Sequence, residues 1–103
     1  MKYPKEYLDE IKTRLKVSTV VSKTVNLKKR GKEFIGLSPF KTEKTPSFTV
    51  NDEKGFYHCF STSEHGNIFD FIMKTQNLKF GEAVKTLANL AAMRPYTFSK
   101  KDV

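Results

Sequence analysis

Four positions on two short turns have the spacing of a structural zinc site. Ser38 and Lys41 stand three residues apart in "SPFK", and Cys59 and Thr62 stand three apart in "CFST". Such sites usually take two pairs of Cys or His ligands, each pair with two intervening residues in a tight turn. Only Cys59 is a good ligand, because Ser and Thr hydroxyls stay protonated at neutral pH and the Lys41 ammonium would repel a dication. The sequence therefore predicts the frame of a zinc site without bound metal.

A second set of possible ligands stays open within "FYHCFSTSEHG". His58, Cys59, Glu64 and His65 all carry side chains that bind metals. His58 and Cys59 are neighbours on a predicted strand, so their side chains point to opposite faces, and one tetrahedron that holds both is strained. We keep this set as the alternative to a metal-free domain.

Two predicted β-hairpins position these turns. In "VNLKKRGKEFIGL", Val25 and Leu27 alternate with polar residues and Gly31 can take the positive φ of a tight turn, which predicts a hairpin with a basic tip. The second hairpin joins "SFTV" to "FYHCF", with Phe48 and Val50 on one face of its first strand. The returning strand separates two sets of side chains, which are Phe56, His58 and Phe60 on one face and Tyr57 and Cys59 on the other.

Helical periodicity precedes and follows the strands. Pro4 suits the first helical position, and Ser18 and Asn67 suit the caps of two later helices. Pro95 is expected to end the last helix. The predicted apolar stripes are Tyr7, Leu8, Ile11 and Leu15; Val20 and Val21; Ile68, Phe69, Phe71, Ile72 and Met73; and Phe80, Val84, Leu87, Ala88 and Ala91. The predicted fold class is α+β, an antiparallel sheet of four to five strands flanked by N-terminal and C-terminal helices.

Charge is the strongest signal in the composition. The chain has 103 residues, which suits one small domain, and its 19 Lys and Arg against 11 Asp and Glu give a net charge of +8. Such a surplus favours a polyanionic partner, nucleic acid before an acidic membrane surface. One cysteine excludes an internal disulfide framework, and we find neither a membrane-spanning apolar stretch nor an apolar signal core. We therefore expect a cytoplasmic protein with no membrane partner.

Basic residues concentrate on the first predicted hairpin and near the aromatic residues of the second. They are Lys28, Lys29, Arg30, Lys32, Lys44 and Lys54. Cations contact phosphates and exposed aromatics stack on unpaired bases, which favours single-stranded over duplex nucleic acid. The alternative is that the lysines are merely solvated and that Phe48 and Phe56 are core residues. No P-loop, paired-carboxylate cluster or acidic Mg²⁺ site appears, so this chain alone is not expected to be catalytic.

The two segments "SPFKTEKTPSFTV" and "FYHCFSTSEHG" resemble the N-terminal zinc-binding domain of bacterial DNA primases, the CHC2-type zinc ribbon. The family pattern runs approximately C-P-F-H-x-E-K-T-P-S-F-x-V and then F-Y-H-C-F-G-C-G-x-x-G. The resemblance covers nearly the whole chain and implies a zinc-ribbon-like sheet. Relative to the family, Ser38, Lys41 and Thr62 replace two cysteines and a histidine, Ser61 and Ser63 replace two glycines, and only Cys59 remains.

The resemblance also implies a function. In the family the sheet face meets single-stranded DNA template and helps to select the start of an RNA primer. Matched by motif and by charge, the expected nucleic-acid-binding residues are Lys28, Lys29, Arg30, Lys32, Lys44, Pro46, Ser47, Lys54 and Phe56. The implied partners are an RNA polymerase domain, in cis or in trans, and a replicative helicase through the parent protein. Residues 1–95 would form this domain, residues 96–103 a tail or the start of a linker to a catalytic domain, and Mg²⁺ would bind only in that catalytic domain.

Two other functions stay open. The chain can be a stand-alone protein-interaction module that binds a replication helicase or polymerase, or a general nucleic-acid binder unrelated to priming. In either case something must replace the zinc. We expect Ser38, Ser61, Thr62 and Ser63 to hydrogen-bond the turn backbone, Cys59 to be a small buried apolar residue, and Lys41 to pair with Glu64 or Glu43.

Overall fold

The computed structural model describes residues 3–94 and residue 96. Two helices precede a sheet, and two helices follow it. The elements in chain order are α1 (Lys5–Arg14), α2 (Val17–Val21), β1 (Lys28–Arg30), β2 (Glu33–Gly36), β3 (Phe48–Asn51), β4 (Phe56–Cys59), β5 (His65–Gly66), α3 (Ile68–Gln76) and α4 (Phe80–Leu90). The predicted α+β class and the flanking helices are confirmed.

The sheet has five antiparallel strands in the order β1-β2-β3-β4-β5, so each strand pairs with its neighbours in sequence. Arg30 pairs with Glu33, which leaves a two-residue turn at the tip of the first hairpin. Gly31 in this turn has φ of 63°, the left-handed conformation that glycine adopts without strain. The predicted hairpin with a basic tip is confirmed.

One face of the sheet forms the core together with the helices. Phe48, Val50, Tyr57 and Cys59 are almost fully buried, as their alternation predicts. The Phe48 and Tyr57 rings stack with centroids 5.3 Å apart, and the Phe71 ring of α3 meets both. Helices therefore cover this face, while the opposite face of the sheet carries the side chains that alternate with the core residues.

Three predicted details of the N-terminal half are wrong by a few residues. Pro4 is the N-cap of α1 instead of its first helical residue. Ser18 lies inside α2, whose N-cap is Lys16, and the Asp52 carboxylate accepts hydrogen bonds from the Ser18 backbone N–H at 2.9 Å and from its hydroxyl at 2.6 Å. A carboxylate from the β3–β4 turn thus satisfies the exposed end of the helix, which no local pattern reveals.

The strand predicted to begin at Val25 begins at Lys28. The backbone N–H of Val25 bonds instead to the carbonyl of Val21, which extends the turn that follows α2, and its side chain joins the core. Asn67 caps α3 as predicted, through a reciprocal capping box with Asp70. Pro95 and residues 97–103, which include nearly all of the predicted tail, lie outside the described residues. No helix in the described part of the chain is long and apolar enough to cross a bilayer.

Candidate nucleic-acid interface

The turns of the predicted metal frame are in contact with each other. The Cys59 Sγ lies 3.1 Å from the Ser38 Oγ and 3.3 Å from the Ser61 Oγ. Thr62 lies close enough to the Cys59 sulfur to lower the pKa of the thiol. Three of the four frame positions, Ser38, Cys59 and Thr62, are therefore gathered at one point, while the fourth, Lys41, is exposed. This set does not fit zinc, because it offers one thiol, two neutral hydroxyls and an ammonium.

Glu43 holds the loop that carries the first turn. Its carboxylate accepts hydrogen bonds from the Ser38 backbone N–H at 2.9 Å, from the Ser47 N–H at 3.1 Å and from the Ser47 hydroxyl at 2.7 Å. The bond from the Ser38 N–H is the main reason that the pKa of Glu43 lies below its ordinary value, and the Ser47 hydroxyl adds to it. One carboxylate therefore joins both ends of the loop between β2 and β3.

The predicted ion pair of Lys41 with Glu43 or Glu64 is wrong. Glu43 is engaged with the two serines, and Glu64 pairs with Lys74 of α3. No ion pair of Lys41 is found among residues 3–94 and 96, and its side chain is exposed to solvent. The positive charge of Lys41, which would oppose a metal, is therefore exposed to water.

The turn after β4 is closed by its own backbone. The Ser63 N–H donates to the Cys59 carbonyl at 2.8 Å, and the Cys59 N–H donates to the Glu64 carbonyl at 2.7 Å. Ser63 has φ of 66°, a left-handed conformation at a position where the primase pattern has glycine. The Thr62 hydroxyl accepts from the Glu64 N–H, as predicted, whereas the Ser61 hydroxyl bonds to side chains.

Cys59 is fully buried, as predicted, but it is not simply an apolar residue. Burial raises the pKa of its thiol, while hydrogen bonds from Ser38, Ser61 and Thr62 lower it, and the net result is a pKa of about 6. The sulfur therefore sits among hydroxyl groups that stabilise negative charge. Polar contacts as well as apolar packing therefore hold this turn.

The alternative ligand set is not assembled. His58 pairs with His65 across β4 and β5, and their ring centroids are 6.2 Å apart. The neighbouring Cys59 points into the core instead, and Glu64 is taken by Lys74. No cluster of three or more His, Cys, Asp or Glu able to hold a metal occurs within the described ranges.

The uncovered face of the sheet carries one continuous row of side chains across all five strands. The paired residues of this row, from β1 to β5, are Lys28, Ile35, Thr49, His58 and His65. Residues paired directly across strands share a face, and Thr49 alternates with the buried Phe48 and Val50, so the row faces away from the core. We call this surface the open face.

Two aromatic side chains stand exposed on the same face. Phe56 is 56% exposed and Phe60 is 64% exposed, and both alternate with the buried Tyr57 and Cys59. The Phe60 ring lies 4.4 Å from the His58 ring, centroid to centroid. Exposed aromatic rings on the same face as the cations of β1 suit unpaired bases, which stack on such rings.

The predicted site residues divide into five groups. Lys28, Arg30 and Phe56 lie on the open face, since Arg30 continues the alternation of Lys28. Lys29 pairs with Phe34, whose neighbour Val50 is in the core, so Lys29 projects from the other face. Lys32 and Lys54 lie in the two hairpin turns, Lys44 and Pro46 line a groove beside Lys28, and Ser47 is occupied by Glu43.

Five residues of the open face are missing from the site predicted from sequence. They are Ile35, Thr49, His58, Phe60 and His65. The alternation that placed Phe56, His58 and Phe60 on one face already carried the signal for two of them. The other three become visible only through the strand register, which aligns them with Lys28.

The chain matches a known protein family along nearly its whole length. The family model described as CHC2 zinc finger matches residues 3–102. The chain is 46% identical over 85 residues to the DNA primase of Escherichia coli strain K12, which covers 82% of this chain and 15% of that protein. It is 46% identical over 90 residues to the DNA primase of Pseudomonas putida, which covers 87% of this chain and 14% of that protein.

A solved structure has the same fold. The chain aligns with the crystal structure of the Aquifex aeolicus primase, which contains zinc-binding and RNA polymerase domains, with a TM-score of 0.81 and 26% identity. The alignment covers 93% of this chain and 24% of that one. The chain therefore spans about 15% of the length of the curated relatives that it matches, the first of which is the Escherichia coli protein.

Proposed function

The chain belongs to the CHC2 zinc finger family, and from this membership we propose that it is the template-recognition domain of a DNA primase that works without zinc. It binds single-stranded DNA through the open face and the basic first hairpin. The parent protein then makes RNA primers for DNA replication in the cytoplasm. This domain contributes template contacts and no catalytic group.

The observation that carries the proposal is the pairing of cations with exposed aromatics on one uncovered surface. Lys28 and Arg30 supply charge for phosphates, and Phe56 and Phe60 supply faces for unpaired bases. Within the described residues no helix covers this surface, since α2 and α3 pack on the other side of the sheet. Single-stranded DNA offers both chemical features at once, whereas the bases of a duplex are already stacked.

The partners proposed for this domain follow from its family. An RNA polymerase domain, in cis or in trans, would bind the catalytic Mg²⁺ and polymerise the primer on the template that the open face holds. A replicative helicase would be reached through the parent protein. The similarity to longer DNA primases supports these partners.

DNA binding is tested by charge reversal. The triple variant Lys28→Glu, Lys32→Glu and Lys44→Glu is expected to abolish binding of a fluorescent oligothymidylate at low salt, measured by anisotropy. The matched control is Lys5→Glu, Lys23→Glu and Lys85→Glu, which changes the net charge equally at three exposed lysines away from the strands. Unchanged affinity of the first variant would refute the site, and equal loss in both would reduce it to a general charge effect.

The metal-free proposal has a separate test. Purified protein is dialysed against chelator and its metal content is measured. We expect no retained zinc, because three of the four frame positions carry poor zinc ligands, namely Ser38, Lys41 and Thr62. Near-stoichiometric zinc after dialysis would overturn this part of the proposal and leave the DNA-binding part standing.

A further inference from the structure

A groove runs beside the edge of the sheet and extends beyond the open face. It has a volume of about 670 Å³ and lies between residues 24–28 on one side and the loop 37–46 on the other. Its size is within the range of ligand-binding clefts. Of the site residues predicted from sequence, it gathers Lys28, Lys44 and Pro46, which are distant in the chain.

The walls of the groove are mainly apolar. Val25, Ile35, Leu37, Pro39 and Pro46 all contribute to them, and Leu37 is 47% exposed. A side chain at Gly36 would close this space from below: its Cβ would lie 2.8 Å from the Asn26 carbonyl oxygen and 2.9 Å from Val25. Glycine at this position lets the segment before β1 lie directly against β2, and this contact forms the floor.

The charge of the groove has one sign. Lys28 and Lys44 line it, and none of its lining residues is acidic. An occupant that complements it therefore has an apolar, flat portion and at least one anionic group. A nucleotide of a single strand has this form, with a base for the walls and phosphates for the two ammonium groups.

The groove is continuous with the open face. Lys28 and Ile35 belong to the row that crosses all five strands, and both also line the groove. A strand of DNA that lies along the row from His65 towards β1 thus reaches the groove at its end. Polar groups of Thr24 and Asn26 at the margin can hydrogen-bond the edge of a base.

We propose that this groove is a nucleotide subsite, which takes one unpaired base of the single strand against Ile35, Pro39 and Pro46 and the adjacent phosphates on Lys28 and Lys44. This rests on the proposed function, because the strand must already bind the open face. An acidic peptide could also bind Lys28 and Lys44, but it has no bases to stack on the exposed aromatic rings of the open face. Binding of such a peptide is the competing outcome of the test.

The test compares two exposed leucines. Leu37→Glu places a carboxylate in the groove, and Leu90→Glu places one on α4, where Leu90 is 39% exposed. Affinity for a fluorescent oligothymidylate is measured by anisotropy for wild type and both variants. We expect Leu37→Glu to weaken binding about fivefold or more, the lower end of what one stacked base contributes, and Leu90→Glu to leave it within about twofold. Equal affinity of the two variants would overturn the subsite.

A second measurement identifies the occupant. Methyl NMR signals of Val25 and Ile35 are followed while oligothymidylate, an abasic oligomer of the same length, or a polyglutamate peptide is added. The proposal requires shifts with oligothymidylate that the abasic oligomer does not reproduce. Shifts of equal size with the abasic oligomer, or saturating shifts with polyglutamate alone, would overturn it.

The affinity measurements also distinguish a failure of the subsite from a failure of the proposed function. If wild type binds oligothymidylate while Leu37→Glu behaves like Leu90→Glu, only the subsite fails. If wild type does not bind oligothymidylate at all, the proposed function fails and the subsite fails with it.

Discussion

The β1–β2 hairpin exposes all three residues of β1, whereas the β3–β4 hairpin buries every second residue of both its strands. Both are antiparallel hairpins closed by a turn with a left-handed glycine, Gly31 in one and Gly55 in the other. They differ in what lies against them. The helices cover the middle of the sheet, and β1 is an edge strand beyond that cover.

The difference teaches that the core depends on the second hairpin, whereas the proposed binding surface takes its cations from the first hairpin and its exposed rings from the outer side of the second. The second hairpin supplies Phe48, Val50, Tyr57 and Cys59 to the core. The first supplies cations that have no ion pair within the described ranges and are free to meet phosphates. Variants of the buried residues of the second hairpin and of the basic residues of the first should therefore affect different measurements.

The largest expected effect tests the core side of this contrast. Phe48→Ala removes a fully buried ring that stacks on Tyr57, and we expect a loss of about 3–5 kcal/mol in the free energy of unfolding. Urea denaturation measures it. The control is Phe56→Ala in the same hairpin, whose ring is mostly exposed and whose loss should be well under about 1 kcal/mol. Comparable losses would mean that Phe56 is covered in solution.

The next effect concerns the loop that joins the two hairpins. Glu43→Ala leaves the N–H groups of Ser38 and Ser47 without their acceptor, and we expect a lower urea midpoint, with a smaller loss than that of Phe48→Ala. Glu43→Gln keeps one acceptor oxygen in place and should lose less. If both variants are as stable as wild type, contacts other than those of Glu43 hold the loop between β2 and β3.

A smaller effect is expected on the salt dependence of DNA binding. Replacing Lys28 and Lys32 with Ala should reduce the slope of log affinity for single-stranded DNA against log salt by about 1.4, which is about 0.7 for each phosphate that is no longer neutralised. The free energy of unfolding of this double variant should stay within about 0.5 kcal/mol of the wild-type value, because both replaced side chains are exposed. A large loss of stability would show that the first hairpin also supports the core.

The smallest effect is a pH dependence. The pKa of Glu43 is lower in the folded chain than in the unfolded one, chiefly through the hydrogen bond from the Ser38 N–H. The unfolded state therefore binds more protons as pH falls, so the contribution of Glu43 is present above its ordinary pKa near 4.5 and is lost below it. Unfolding followed from neutral pH down to acid should show a shallower decline in Glu43→Gln than in wild type. Superimposable curves would contradict the assignment.

Much of the fold was accessible from local patterns. The alternation of Phe48 and Val50 against their neighbours gave the buried face correctly, and Asn67 gave the cap of α3. Both signals act between residues a few positions apart, where backbone geometry fixes which side chains meet. The same local patterns failed where a residue distant in the chain makes the contact. Ser18 was predicted to cap α2, but the Asp52 carboxylate accepts hydrogen bonds from it instead.

The candidate site was accessible in part. Net charge and the basic hairpin predicted a polyanion-binding surface, and the open face now groups Lys28 and Arg30 with Phe56. Lys29 was counted among them but projects from the other face, because successive residues of a strand alternate. Ser47 was counted as well, yet its hydroxyl is bound to Glu43.

The sequence by itself determined that the zinc frame has lost its ligands, because the chemistry of Ser38, Lys41 and Thr62 does not depend on the fold. It also determined the sheet and its two faces, since strand alternation is a local property. Only the tertiary structure decided which contacts hold the two turns, namely those of Glu43 and of the hydroxyls around Cys59, and that Lys28 and Lys44 border one groove. These contacts join residues many positions apart, and the path of the loop between β2 and β3, which sets their distances, has no periodic signal in the sequence.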